Sequence, residues 1–293
     1  MAKLSPARVL AEVAEAVPAD CRESIIIVGS LAAGYHFFRD STSAFVQTKD
    51  VDCLLQPFHT AVETGQSIAQ QLLKAGWKQK LAGKQPPVVR LYPPNVDPNF
   101  EEAWFVELLS VADPAVDGES KWRQLLLDEG EFTLPTFRFL RVSAYEPALA
   151  EGLEIHYARP QMMALANLLS HPEIKPEGMS GQFAGRQIKR SNKDLGRVLA
   201  IAYLANLDDY RPWADDWKDA LEACFPDDWQ WLAGKAGAGL KALLASPNDL
   251  DEAHHTCVYG LLNSAPPSFP EFRAAGERLL GDALLRLEEV AVR

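Results

Sequence analysis

The stretch IIIVGSLAAGYHFFRDSTSAFVQTKDVDCLL, from Ile25 to Leu55, decides the reading of this chain. It opens with an apolar β-branched run, Ile25 to Val28, of the kind that forms a buried strand. Gly29-Ser30 ends that run, and Leu31 to Phe38 reads as the first turns of a helix. Thr48-Lys49-Asp50 then leads into a second strand, Val51 to Leu55. Residues two apart in a strand share a face, so Asp50 and Asp52 point the same way, roughly 7 Å apart along the strand. Val51, Cys53 and Leu55 point the other way, into the core.

Two carboxylates side by side on a buried strand repel each other unless a cation neutralises them. Hard cations such as Mg²⁺ suit both carboxylate and phosphate oxygens. Gly29-Ser30 supplies the complementary half. Glycine lets a phosphate approach the backbone, Ser30 offers a hydroxyl, and the following helix directs its N-terminus at an anion. Taken alone, the same residues also fit a simple helix cap and a strand end in water.

The order Gly-Ser, helix, then Asp-x-Asp on the next strand resembles the nucleotidyltransferase superfamily of polymerase-β type. The wider arrangement resembles the AbiE-type (AbiEii) toxin nucleotidyltransferases of bacterial abortive-infection and toxin–antitoxin systems. Gly29, Ser30, Asp50 and Asp52 fall on the superfamily's motif positions, across a loop longer than the family's usual spacing. The resemblance implies Mg²⁺-dependent transfer of a nucleoside monophosphate from a nucleoside triphosphate to an acceptor hydroxyl. The acceptor would be tRNA or another RNA, a protein, or a small molecule. A toxin of this kind would have a cognate antitoxin as partner. The resemblance also implies a third carboxylate, on a strand beside the Asp-x-Asp strand. Glu107, in AWFVELLSV from Ala103 to Val111, has that place in the order of elements. It would be a metal ligand with Asp50 and Asp52, or the general base. The other readings of Glu107 are an edge-strand glutamate in water, or one paired with Arg90.

The chain has 293 residues, enough for two domains. Hydrophobic residues make up 47% and charged residues 24%, as in a globular protein in water. The apolar runs fall short of the roughly 20 residues a membrane span needs, so no membrane is expected. Residues 1–20 read as an amphipathic lead helix rather than a signal peptide, which points to the cytoplasm. The four cysteines form no Cys-x-x-Cys pair and read as reduced thiols, not as a disulfide framework or a zinc site. A net charge of −11 argues against a protein coated in nucleic acid and leaves room for a local basic patch.

Strands and helices alternate up to Tyr157. A helix over Val62–Ala75 stops at Gly76, and strands follow at Val88–Tyr92 and Ala103–Val111. One or two more are expected over Phe132–Val142, with a last short one over Leu153–Tyr157. From Pro160 onward the pattern is helical. His171–Gly185, rich in proline and glycine, reads as a flexible loop, and Gln187–Leu207 as a long helix. Further helices are expected near Trp213–Cys224, Trp229–Leu244, Asp251–Leu262 and Phe269–Val290. The fold class is α+β (α/β). A nucleotidyltransferase-like domain over 1–158, a small mixed β-sheet with flanking helices, precedes an all-helical domain over 159–293.

One cluster stands out from the acidic background: Arg186, Lys189, Arg190, Lys193 and Arg197, with Asp194 the only acid among them. Lys189, Lys193 and Arg197 are four apart and share a helical face. The macrodipole does not favour cations at a helix start, so their presence points to an anion; a solvated helix face is the alternative. The run RQIKRSNKDLGRVLAIAYL resembles the second block of AbiE-type toxins, with Asp194 on the acidic motif position and Lys193 before it. The family's lysine on the preceding helix is matched here by Asn167. Lys189 or Lys193 would then neutralise phosphate, or activity would be lost. The second function reading is therefore a catalytically inactive nucleotide-binding or partner-binding protein on the same scaffold.

Overall fold

The computed structural model describes residues 2–82, 87–113, 121–128, 130–170, 178–205, 210 and 212–292. The fold is mixed α/β, with a nine-stranded mixed sheet followed by a helical C-terminal region. Two compact units divide the chain, Met1–Arg159 and Pro160–Arg293.

The first unit opens with β1 (Lys3–Leu4) and α1 (Pro6–Ala16), which starts on a proline that suits a first helical turn. Then come β2 (Ile25–Val28), α2 (Gly29–Phe38), β3 (Val46–Gln47) and β4 (Asp50–Leu55). α3 (Ala61–Lys74) buries Ala61, Gly65, Ile68, Ala69 and Leu72, one helical stripe, and Gly76 follows it at φ +87°. β5 (Lys78–Ala82), β6 (Val88–Tyr92), β7 (Phe105–Val111), β8 (Trp122–Leu127) and β9 (Gly130–Phe137) lead to α4 (Leu140–Ser143), β10 (Ala148–Ala150) and β11 (Ile155–Tyr157). The main sheet runs β10-β11-β2-β4-β7-β6-β9-β8, with β5 on β6. β4 lies in its interior, antiparallel to β2 and parallel to β7. Both faces of β2 are buried, as its unbroken apolar run requires.

Three local expectations are corrected here. The lead helix spans only Pro6–Ala16: Pro18 follows it, and Ala19–Ser24 is a 3₁₀ turn. The strand expected to reach Val142 ends at Phe137. Phe139 and Val142 are buried three residues apart, a helical spacing, and α4 forms around them. The strand expected from Ala103 starts at Phe105.

The second unit begins with α5 (Pro160–Ser170), which is buried nearly all round. The loop expected over His171–Gly185 is, in its described part, a hairpin of β12 (Gly178–Phe183) and β13 (Arg186–Lys189); 171–177 lie outside the described residues. Ala184 and Gly185 both have positive φ, 45° and 81°, the requirement of a tight two-residue hairpin turn. The following helix, α6 (Arg190–Leu204), therefore starts three residues later than expected. α7 (Trp213–Cys224), α8 (Trp229–Ala236), α9 (Ala238–Ala245), α10 (Pro247–Val258), α11 (Phe269–Leu279) and α12 (Leu285–Val292) complete the unit. The single helix expected over Trp229–Leu244 is broken at Gly237, and a π turn over Leu280–Leu284 separates α11 from α12. α6 meets α10 at Gly196, where a Cβ would lie 2.6 Å from Thr256 Oγ1 and 2.8 Å from the Ala253 carbonyl oxygen.

Among the described residues, no helix is long and apolar enough to cross a membrane.

Candidate functional site

The sheet register places the first-unit residues. Asp52 stands between Val28 on β2 and Glu107 on β7, and Asp50 stands beside Phe105. Directly paired residues share a face, so Asp50, Asp52 and Glu107 belong to one side of the sheet. Val51, Cys53 and Leu55 are buried, and the two aspartates are half-buried. Burial and the neighbouring Asp52 carboxylate push the Cys53 thiol well above its ordinary range, so Cys53 is packing, not chemistry.

Gly29 is the turning point between β2 and α2. Its φ of +77° is a conformation that residues with side chains rarely adopt. A Cβ added there would lie 2.7 Å from Asp52 Oδ2, so the backbone at the start of α2 passes directly against this carboxylate. Ser30 follows in the first turn of α2, half-buried, and no acid lies in that turn. Backbone N–H groups at a helix N-terminus have no partner within the helix. Thr48, itself buried, donates its hydroxyl to Asp50 Oδ1 and fixes that carboxylate.

Glu107 sits next to Asp52 in register and next to Arg90 on its other side. Arg90 Nε lies 3.5 Å from Glu107 Oε2. Burial raises the Glu107 carboxyl above its ordinary range, Arg90 opposes the shift, and Asp50 adds to it. Asp50 and Glu107 thus influence each other electrostatically, and Glu107, the expected third carboxylate, is paired with Arg90. The guanidinium also stacks over the Phe105 ring, 4.4 Å from its centre.

In the second unit, the basic turn is answered by the protein's own acids. Lys189 is the N-cap residue of α6, and its Nζ donates to Asp249 Oδ1 at 2.6 Å. Its backbone N–H donates to Glu252 Oε2. Buried Asn192 donates to both Asp249 Oδ1 and Glu252 Oε2, at 2.9 and 2.8 Å. The hydrogen bonds from Lys189 and Asn192 hold the Asp249 carboxyl down at about 2. Arg186, on β13, donates to Asp251 at 2.8 Å. Among the described residues, Lys193 and Asp194 on α6 form no ion pair; both are half-buried. A cavity of about 110 Å³ lies here, lined by Lys189, Ser191, Asn192, Leu195, Leu243 and Asp249 among others. Asn167, at the family's lysine position, donates back to the Met163 carbonyl of its own helix.

Asp50 and Asp52 suit a hard cation: both are half-buried carboxylates on one strand face, one of them against the Gly29 backbone. The set of three does not fit as it stands, because Glu107 is paired with Arg90. Among the described residues, no group of three or more His, Cys, Asp or Glu side chains is gathered to hold a metal.

Sequence reasoning did not find Thr48, Asn192, Asp249 or Glu252. Thr48 carried a signal, a hydroxyl two residues before Asp50 at the entry to β4. The acids that answer Lys189 lie about sixty residues along the chain and carried none.

No family model matches the chain, and no curated protein matches it. Among solved structures the chain is similar to an antigenic nucleotidyltransferase-like protein from Paracoccidioides brasiliensis. That similarity has a TM-score of 0.35 and 12% identity, over 79% of this chain and 94% of that one.

Proposed function

We propose that the first unit is a polymerase-β-type nucleotidyltransferase core that binds a nucleoside triphosphate at Gly29-Ser30, beside Asp50 and Asp52. The observation that carries this reading is the contact of Gly29, at positive φ, with the Asp52 carboxylate. It brings an anion-binding helix start and a metal-binding acid to one point. Gly29 lets the backbone pass against the Asp52 carboxylate, the first N–H groups of α2 and the Ser30 hydroxyl would donate to a phosphate, and Thr48 holds Asp50 in place. Mg²⁺, held by Asp50 and Asp52, would neutralise triphosphate charge. Glu107 would serve as third carboxylate or base once released from Arg90. In the basic turn, Lys193 is the better candidate for phosphate neutralisation, since Lys189 is committed to Asp249. Asp194, next to Lys193 on α6, would take part in substrate binding. The acceptor in this reading is a hydroxyl of RNA, tRNA included, of a protein or of a small molecule. As an AbiE-type toxin, the protein would arrest growth on expression and be relieved by a cognate antitoxin.

A second reading is favoured by the Arg90–Glu107 pair and by Asn167. It is a scaffold that binds nucleotide or a partner without transfer. Incubation with Mg²⁺, each α-labelled triphosphate and total RNA separates the two. Transfer requires label on RNA, protein or small molecule with wild type and none with Asp50→Asn. Triphosphate binding with no label on RNA, protein or small molecule leaves only the scaffold.

A further inference from the structure

The sheet register lines up five residues on one face: Val28, Asp52, Glu107, Arg90 and Lys80, on β2, β4, β7, β6 and β5. Two negative charges are followed by two positive ones. Lys80 is occupied outward, its Nζ donating to the Pro98 carbonyl and Asn99 Oδ1. Arg90 is therefore the cation next to the carboxylates, and its pairing with Glu107 is incomplete. Nε is buried and makes no hydrogen bond, 3.5 Å from the carboxylate oxygen. The guanidinium side chain is nevertheless 39% exposed, against 21% for Glu107.

We propose that Arg90 is a polyphosphate-binding residue that rests on Glu107 in the free protein. This rests on the nucleotide reading of the Gly29–Asp52 corner. A guanidinium presents five donors in a planar fork that matches phosphate oxygens. A partly exposed, poorly aligned ion pair contributes little and yields to a more highly charged anion. Stacking on Phe105 supports the plane of the fork, and the neighbouring Tyr92 hydroxyl also interacts with the guanidinium. When a triphosphate takes Arg90, Glu107 loses its cation and stands beside Asp52 in register. The pair thus acts as a ligand-operated latch: substrate arrival exposes the third carboxylate.

Calorimetric titration with inorganic tripolyphosphate, run with and without Mg²⁺, tests this on the full chain, the Mg²⁺-free arm reading Arg90 apart from any metal that Glu107 would hold. Arg90→Gln alone would strand a mostly buried Glu107, so the informative comparison is Glu107→Gln against Arg90→Gln/Glu107→Gln, both checked by thermal melt. Glu107→Gln frees Arg90 and binds tripolyphosphate more tightly than wild type. The double variant binds it about ten- to a hundredfold more weakly than Glu107→Gln. Equal affinities of the two variants would remove Arg90 as a phosphate ligand and leave the nucleotide reading in place. An affinity of Glu107→Gln no higher than that of wild type in the Mg²⁺-free arm would remove the latch. Wild type that binds neither tripolyphosphate nor any nucleoside triphosphate would overturn the nucleotide reading and this inference with it.

Discussion

The basic turn at α6 and the acidic face of β4 each concentrate one sign of charge, and they resolve it differently. At the turn, Lys189 and Arg186 find Asp249 and Asp251 on α10, at hydrogen-bonding distance. Glu252 and Asp249 together answer the start of α6, where the helix field favours negative charge. Here the anion implied by the cations is the protein's own. On the sheet, Asp50, Asp52 and Glu107 share one face, and Arg90 lies 3.5 Å from Glu107. The carboxyl shifts record the contrast: Asp249 is held down at about 2 by its donors, whereas burial drives Glu107 upward. A charge pair held at hydrogen-bonding distance builds structure, and a looser pair whose carboxyl burial pushes up has the electrostatics of a site.

Substitutions can break that contrast. The largest effect is expected for Gly29→Ala, which forces a side chain into positive φ and against Asp52 Oδ2. Denaturant unfolding should show a loss of about 2–4 kcal/mol. If the loss is within error, the close contact between α2 and Asp52 is not as described.

Next comes acid stability. The Asp249 carboxyl lies below its ordinary 3.8 in the folded state, so the unfolded chain binds more protons in that range. Its contribution is complete above about pH 4 and is lost as pH falls toward 2. Wild type should lose about 1–2 kcal/mol more than Asp249→Asn over that window, allowing for partial exposure. Parallel curves would mean the acids of α10 do not hold the turn.

Smaller still, Lys189→Ala should cost about 1 kcal/mol or less, because its ion pair is partly exposed. Lys193→Ala should stay within about 0.5 kcal/mol. Equal costs would erase the distinction between the committed lysine and the other.

The part of the molecule legible in the sequence is the part whose information is local. Ile25–Val28, Gly29-Ser30 and Asp50–Leu55 were readable because an apolar run, a glycine and an alternation of charge act over a few residues. The hairpin over Gly178–Lys189 was hidden because its strands are short and polar, and its turn puts Ala184, not a glycine or asparagine, at positive φ. α4 was hidden because Phe139 and Val142 sit in a run that also alternates like a strand. The acids behind Lys189 depend on α6 packing against α10 at Gly196, a tertiary contact without a local signature. Glu107 shows the boundary: its residue type and strand were readable, and Arg90 as its partner became definite only with the β6–β7 register.

The central claim, that Asp50 and Asp52 form a working metal and triphosphate site, is tested most directly by a thermal-shift series. Wild type and Asp50→Asn/Asp52→Asn would be compared with Mg²⁺ alone and with each of the four nucleoside triphosphates. Without ligand, the double variant should be no less stable than wild type, since two like charges on one strand face are removed. Mg²⁺ with at least one triphosphate should raise the wild-type midpoint by mass action and leave the variant's unmoved. A wild type that no triphosphate shifts, or a variant that shifts equally, would contradict the account.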